Sequence, residues 1–261
     1  MTDAELYRRG TATLLAAWAR YAAGSDGGAV LRLDGVCAAV FPNNPERAVY
    51  NNALFDRNLG PGRRAAAVEA MEAAYRDAGV GSYAAWVHET DDAMCAELGS
   101  RGYRVAETTR AMGMELDDLP GPLPDIALEV PAWEQYVAYL ERAGAPPGLL
   151  VDADPSAFHA VGACMAGECV ATAIAFDHDG DCGIFNMSTL ETARRRGLGT
   201  ALTARHVHDA ARRGCSTASL HATGMAERMY AAAGFRDLGR IVEYAPWPGS
   251  PTVPARAVTR G

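Results

Sequence analysis

The sequence predicts an α/β protein with mixed sheets, built as two similar halves in tandem, and three observations predict it. Strand-like runs alternate with helix-length amphipathic segments along the chain. A Pro/Gly-rich stretch, Asp117-Asp118-Leu119-Pro120-Gly121-Pro122-Leu123-Pro124, breaks the pattern, which then begins again. The two parts also end alike, Arg101-Gly102-Tyr103-Arg104 against Ala233-Gly234-Phe235-Arg236. The expected division is a domain at 1–116, a linker at 117–125, a second domain at 126–246 and a loosely ordered, proline-containing tail at 247–261. With 49% hydrophobic residues in 261, there is apolar surface enough for packed cores.

Taken in order, residues 2–23 form an amphipathic helix with Leu6, Leu14, Leu15, Trp18 and Tyr21 on one broad face, ended by Gly24-Ser25-Asp26-Gly27-Gly28. Strands are expected at 29–41 and 47–55, a helix at 62–78, a strand at 82–88, a helix at 91–100 and a strand at 103–115. After the linker the series is a strand at 126–130, a helix at 133–143, a Pro146-Pro147-Gly148 loop, and strands near 158–165 and 168–176. Asp179-Gly180 supplies a hairpin turn into a strand at 182–190. A helix at 197–213 follows, with Leu198, Ala201, Leu202, Ala204, Val207 and Ala211 as its stripe and Gly214 as its C-cap. A short helix at 225–233 is closed by Gly234-Phe235.

Between the strand at 182–190 and the helix at 197–213 stands Arg194-Arg195-Arg196-Gly197-Leu198-Gly199. Backbone N–H groups at a helix start have no internal partner, and the helix dipole adds partial positive charge there. Gly197 and Gly199 present no Cβ to hold an anion away, and the arginines add attraction, so this junction reads as a phosphate site. The bland alternative is an ordinary glycine-containing helix start with solvated arginines. What favours the phosphate reading is Tyr230, in the short helix about thirty residues on.

Thr189-Leu190, the Arg-x-x-Gly-x-Gly turn and Tyr230-x-x-x-Gly234-Phe235 together resemble the GNAT superfamily of acyl-CoA-dependent N-acyltransferases, over roughly residues 126–246. The resemblance implies a strand (Met187, Ser188, Thr189, Leu190) that pairs with the pantetheine arm of acetyl-CoA. It implies a loop (Arg194, Arg195, Arg196, Gly197, Leu198, Gly199, Thr200) that cradles the pyrophosphate, and Tyr230 facing the thioester sulfur as general acid. Two positions depart from the family pattern: Thr223 stands where Asn is common, and Glu191 where proline is. Thr223 still supplies one hydrogen bond toward the cofactor.

The first half carries a formal copy of the loop, Arg57-Asn58-Leu59-Gly60-Pro61-Gly62. Pro61 lacks an N–H where the cradle needs one, and Leu98 holds the place of Tyr230, so this half reads as a degenerate GNAT-like domain that shapes the substrate cleft. His221 is open to two readings, general base or structural histidine, the second favoured. Asn186 and Ser188 are placed to orient substrate or water. Trp133 and Tyr136 are either pocket or core residues, core being favoured. Asp177-His178-Asp179-Gly180-Asp181 lacks the ligand order of a calcium loop and reads as a hairpin turn. His206 and His208 are expected at the surface, and no metal is expected.

The formal charge of −8 argues against nucleic acid and anionic membrane as partners and mildly favours an amine. No run approaches the length of a membrane span, and Met1-Thr2-Asp3-Ala4-Glu5 lacks the start of a signal peptide, so a cytoplasmic protein, monomer or homodimer, is expected. Six cysteines without a C-x-x-C pair are expected to be reduced and mostly buried. The activity these features imply is acetyl transfer from acetyl-CoA to a small-molecule amine. The alternatives are a noncatalytic acyl-CoA-binding module and acetylation of a protein or peptide terminus.

Overall fold

A computed structural model describes residues 1–43, 50–117, 119, 125–144, 148–165 and 167–247. Most of the 117–125 linker, the Pro146-Pro147 loop, the first residues of the strand expected at 47–55 and all of the tail but Trp247 lie outside the described residues.

In chain order the elements are α1 (Asp3–Ala23), β1 (Ala29–Leu33), β2 (Val36–Val40), β3 (Asn52–Phe55), α2 (Pro61–Asp77), β4 (Ala84–His88), α3 (Asp92–Ser100) and β5 (Tyr103–Glu115). There follow α4 (Trp133–Arg142), α5 (Gly148–Val151), β6 (His159–Met165), β7 (Glu168–His178), β8 (Asp181–Thr189), α6 (Leu198–Arg213), β9 (Thr217–Ala222), α7 (Glu227–Ala232) and β10 (Arg236–Pro246). The single strand expected at 29–41 is a hairpin, turned at Asp34-Gly35 with Gly35 at φ +83°. The strand expected at 126–130 contributes only an isolated bridge, Glu129 to Gly162.

The chain forms two compact units, one of Met1–Gly24 with Thr109–Gly239, the other of Ser25–Thr108 with Arg240–Gly261. This divides the chain differently from the 1–116 and 126–246 expected from the linker, and strand pairing gives the reason. In the first unit β6, β7 and β8 pair antiparallel in turn and β8 pairs parallel with β9. Arg110–Glu115 of β5 then close the sheet against β9. In the second unit β1, β2 and β3 pair antiparallel, β3 pairs parallel with β4, and Ile241–Tyr244 of β10 close that sheet against β4. The strands of each unit therefore have the same pairing pattern, and in each unit the last strand of that pattern comes from the other half of the sequence. A helix links the parallel pair in each case, α6 in one and α2 in the other, as parallel strands require.

The helix α1 belongs with the first unit because its apolar face, Leu6, Leu14, Leu15 and Trp18, packs on β7, β8 and β9. Thr2 caps its start by accepting the Glu5 N–H, and Asp3 and Glu5 complement the dipole in its first turn. Gly10 lets it lie close, since a Cβ there would stand 2.8 Å from the Ser219 Cβ. Below it, the carboxylate of buried Asp181 accepts from the hydroxyls of Thr217 and Ser219, both at 2.7 Å, fixing the parallel start of β8 against β9. The second unit is built around Val40, Phe55, Val68, Met71, Tyr75 and Leu98.

Two side-chain expectations are corrected. His206 is fully buried, not at the surface, because it falls on the face of α6 that carries Leu202, Thr203 and Ala210 into the interior; burial holds its imidazole down to about 4. Cys164 and Cys169, directly opposite each other on β6 and β7, are joined as a disulfide, while Cys37, Cys95, Cys182 and Cys215 are free.

Candidate active site

The site is organised by the end of β8. Parallel pairing with β9 covers only Asp181–Gly183, opposite Thr217–Ser219, although β8 continues to Thr189. Beyond Gly183 the edge of β8 that faces β9 is thus not paired with it. On the opposite edge β8 stays paired with β7 through Thr189, but with a register shift, and Asn186 takes φ +52° within it. This bulge aims side chains apart. Asn186 and Ser188 both turn toward α4, the Asn186 amide donating to the Tyr136 hydroxyl at 3.4 Å and the Ser188 hydroxyl sharing a hydrogen bond with Tyr139 at 2.9 Å. Met187 turns the other way, toward α6 and α7.

The loop expected to hold phosphate follows directly. Arg195 at φ +64° and Gly197 at φ +76° set left-handed turns, which Gly197 adopts without a Cβ penalty. Ala201 is the first residue of α6 whose N–H bonds back along the helix, to the Gly197 carbonyl at 3.0 Å, so the N–H groups of Leu198, Gly199 and Thr200 have no acceptor in it. Arg194, Arg195, Arg196 and Gly197 are all exposed. Arg194 and Arg196 reach back to the carbonyls of Thr189 and Thr192, each at 3.3 Å, which holds guanidinium groups beside the helix start. A Cβ at Gly199 would stand 2.8 Å from Met229 Sδ, so a larger residue there would have to displace that side chain of α7.

Tyr230 follows Met229 in α7. Its ring is buried, edge-on to Phe235, and its hydroxyl donates to Met187 Sδ at 3.3 Å. Burial pushes the phenol up to about 12. The Thr203 hydroxyl, donating to the Gly199 carbonyl at 2.8 Å, lies 3.6 Å from the same sulfur. Met187, singled out in the sequence for its backbone, thus carries a side chain that meets the phenol. The structure brings Met187, Gly199 and Tyr230 into one group. Thr223 is exposed in the turn after β9, where its carbonyl accepts the Ala226 N–H at 2.8 Å. His221 lies on β9 opposite Ala111, and burial holds it down to about 4, leaving it neutral and a weak base at neutral pH.

A residue the sequence reading missed is Arg110 on β5. Its guanidinium bridges Glu227, at 3.0 Å in the first turn of α7, and Asp237 beyond it. The helix that carries Tyr230 is therefore tied to a strand from before the linker. No local motif marks this, because the partners are over a hundred residues apart in sequence.

The corresponding loop of the second unit has a different geometry. Gly60 caps α2, Pro61 stands first in the helix without an N–H, and the Asn58 N–H is already bonded, at 2.9 Å, to the buried carboxylate of Asp91. Leu98 is fully buried in the core.

The sequence model of the acetyltransferase (GNAT) family matches residues 118–235. No curated protein matches the chain significantly. Solved structures do. A GCN5-related N-acetyltransferase from Kribbella flavida is 20% identical and superposes with a TM-score of 0.72 over 94% of this chain and 96% of that one. Another, from Sphaerobacter thermophilus, is 18% identical, with a TM-score of 0.58 over 82% and 81%. A tandem GNAT protein from the clavulanic acid biosynthesis pathway is 15% identical, with a TM-score of 0.55 over 83% and 80%. With an unpaired strand edge, a glycine helix start and a buried tyrosine all inside the matched segment, residues 118–235 are an acetyltransferase domain of the GNAT family.

Proposed function

We propose that the chain is a tandem GNAT protein whose C-terminal half transfers an acetyl group from acetyl-CoA to the amine of a small molecule, the N-terminal half being a degenerate copy. One observation carries this reading: beyond Gly183 the strand edge turned toward β9 is left without that partner, and it runs into a helix start with three N–H groups lacking helical acceptors, beside the Tyr230 hydroxyl. The residues fit the co-substrate. Backbone groups of Met187 to Leu190 suit the amides of a pantetheine arm, and Arg194 to Thr200 suit a diphosphate. The pairing pattern repeated in the two units supports the duplication, and Pro61 with the Asp91 carboxylate supports a first half that holds no diphosphate.

Acetyl-CoA supplies the activated acyl group. The chain supplies orientation, N–H groups that favour negative charge on the carbonyl oxygen, and a proton from Tyr230 for the departing sulfur. His221 and Thr223 take minor parts in this scheme, as a neutral histidine on β9 and one hydrogen-bonding group. The charge of −8 suits a cationic amine rather than nucleic acid or an anionic membrane, and a cytoplasmic monomer or homodimer is in keeping with it. The test is a panel of small amines with acetyl-CoA, followed by release of free thiol. Turnover with one amine class supports the reading. Saturable acetyl-CoA binding with no turnover on any small amine, or turnover only on peptide termini, overturns it.

A further inference from the structure

Away from the site just described, three donors converge at the edge strand β6. Glu129 and Gly162 exchange both backbone hydrogen bonds, each at 2.9 Å, so Glu129 stands directly opposite Gly162 on the outer side of β6. On the inner side, Cys164 of β6 faces Cys169 of β7. One ligand atom from each of Glu129, Cys164 and Cys169 lies within 4.8 Å of the other two, with Glu129 exposed, Cys164 half-buried and Cys169 buried.

Gly162 lies against both sulfurs. It does not adopt a left-handed backbone, so conformation does not call for glycine here. A Cβ at this position would stand 3.2 Å from Cys169 Sγ and 3.5 Å from Cys164 Sγ, so the glycine leaves room beside both sulfurs. The extra residue on β7 at the register shift beside Cys164 re-aims the pair, as bulges do. Arg142 of α4 donates to the Cys169 carbonyl at 2.8 Å and pairs with Glu168, which holds this end of the hairpin in place.

We infer that Glu129, Cys164 and Cys169 form a site for a soft divalent cation, Zn²⁺ in the first instance, available whenever the Cys164–Cys169 bond is reduced. Two thiolates and a carboxylate make a donor set suited to tetrahedral zinc, with water in the fourth place, and the softness of sulfur selects against magnesium and calcium. The disulfide and the metal site are alternatives. Reduction takes two electrons and two protons from a small-molecule thiol pair, which leaves as its own disulfide, and yields two thiols; zinc then displaces a proton from each as it binds. The inference is independent of the acetyl-transfer reading.

The test uses the full chain, reduced with a phosphine, freed of reductant without oxygen, and titrated with Co²⁺ as a spectroscopic stand-in and then with Zn²⁺. The expected result is one equivalent bound with thiolate-to-cobalt charge-transfer absorption, displaced by zinc and absent from the unreduced protein. Cys164→Ser should abolish that absorption. Glu129→Gln, an exposed change that leaves the fold intact, should weaken zinc about 10-fold or more. Cys169→Ser disturbs a buried position, so the half-buried Cys164 variant decides if that protein does not fold. Reduced, folded wild type that takes up no cobalt, or Cys164→Ser that binds as wild type does, overturns the site; Glu129→Gln with unchanged affinity removes the carboxylate from it.

Discussion

Replacing Tyr230 by phenylalanine keeps the ring against Phe235 and removes only the proton. Burial has pushed that phenol up to about 12, whereas an ordinary thiol sits near about 8.5. Complete transfer to a thiolate in the resting site is therefore uphill by about 3.5 units, or about 5 kcal/mol, so the proton moves only as the carbon–sulfur bond breaks. The expected loss in kcat is roughly 10²-fold or more, with acetyl-CoA affinity almost unchanged. The variant also loses a donor to the Met187 sulfur at 3.3 Å, a weak acceptor, and stability should fall by about 1 kcal/mol or less. The sign of the pH effect follows from the same shift. A group acting as an acid fails only above its own value, so the wild-type rate should show no falling limb from this residue below about pH 10. Single-turnover acetylation, measured across about pH 6 to 9 to keep product release out of the observed rate, tests both points. Equal rates for Tyr230→Phe and wild type would refute the assignment. A wild-type falling limb near pH 8 that the variant abolished would refute the buried, high-lying phenol.

Four further outcomes follow from particular contacts. Gly199→Glu sets a side chain against Met229 and a negative charge at the helix start, so calorimetry should show acetyl-CoA affinity lost while circular dichroism is unchanged; full affinity would remove the loop from the binding site. Arg110→Gln leaves Glu227 and Asp237 without their shared cation and should cost about 1 kcal/mol, with kcat reduced more than KM is raised and Arg110→Lys recovering part of it; an unaltered kcat would show that the bridge does not position α7. His206 sits at about 4 in the fold against an ordinary value of 6.5, so the unfolded chain binds the extra proton between those values. Its stabilising term is complete above about pH 6.5 and is lost as pH falls toward 4, about 2 kcal/mol of it by pH 5, and His206→Leu should flatten that slope in urea melts at the two ends of the window. A fragment starting at residue 122 lacks α1 and Arg110–Glu115 of β5, the elements that cover β9, and should be insoluble or unfolded; a soluble fragment with an unchanged amine KM would show that the second half stands alone.

How much of this was legible depended on how local each cause is. The helix start at Gly197, the C-cap at Gly214, the Asp179-Gly180 turn and the 103–115 strand are set by residues close in sequence, and the structure places all of them as the pattern predicts. The hairpin at Asp34-Gly35 carries the same Asp-Gly turn signal as Asp179-Gly180, although the apolar residues on both sides make its strands read as one. His206 stands four residues after Leu202 of the apolar stripe and four before Ala210, so the helical period places it on the buried face and only its polar residue type conceals that. Gly199 reads as a phosphate residue in the sequence, and only the structure shows that its missing Cβ also leaves room for the Met229 side chain.

The exchange of closing strands was the least legible feature, and it changes what the linker means. Two halves that repeat one pattern invite a cut between them, and the proline-rich stretch marks the obvious place. Strand pairing answers to a different demand: the open edge of β9 has to be covered, and any strand of suitable register will do. Here β5 supplies it, with Met112 and Met114 entering the core that surrounds Tyr230, and β10 does the same for β4. A substitution in the first half can therefore alter the proposed acid without touching the second, through Arg110 and its hold on Glu227 at the head of α7. The first half would then be kept for a strand that β9 needs, whether or not it ever meets an amine.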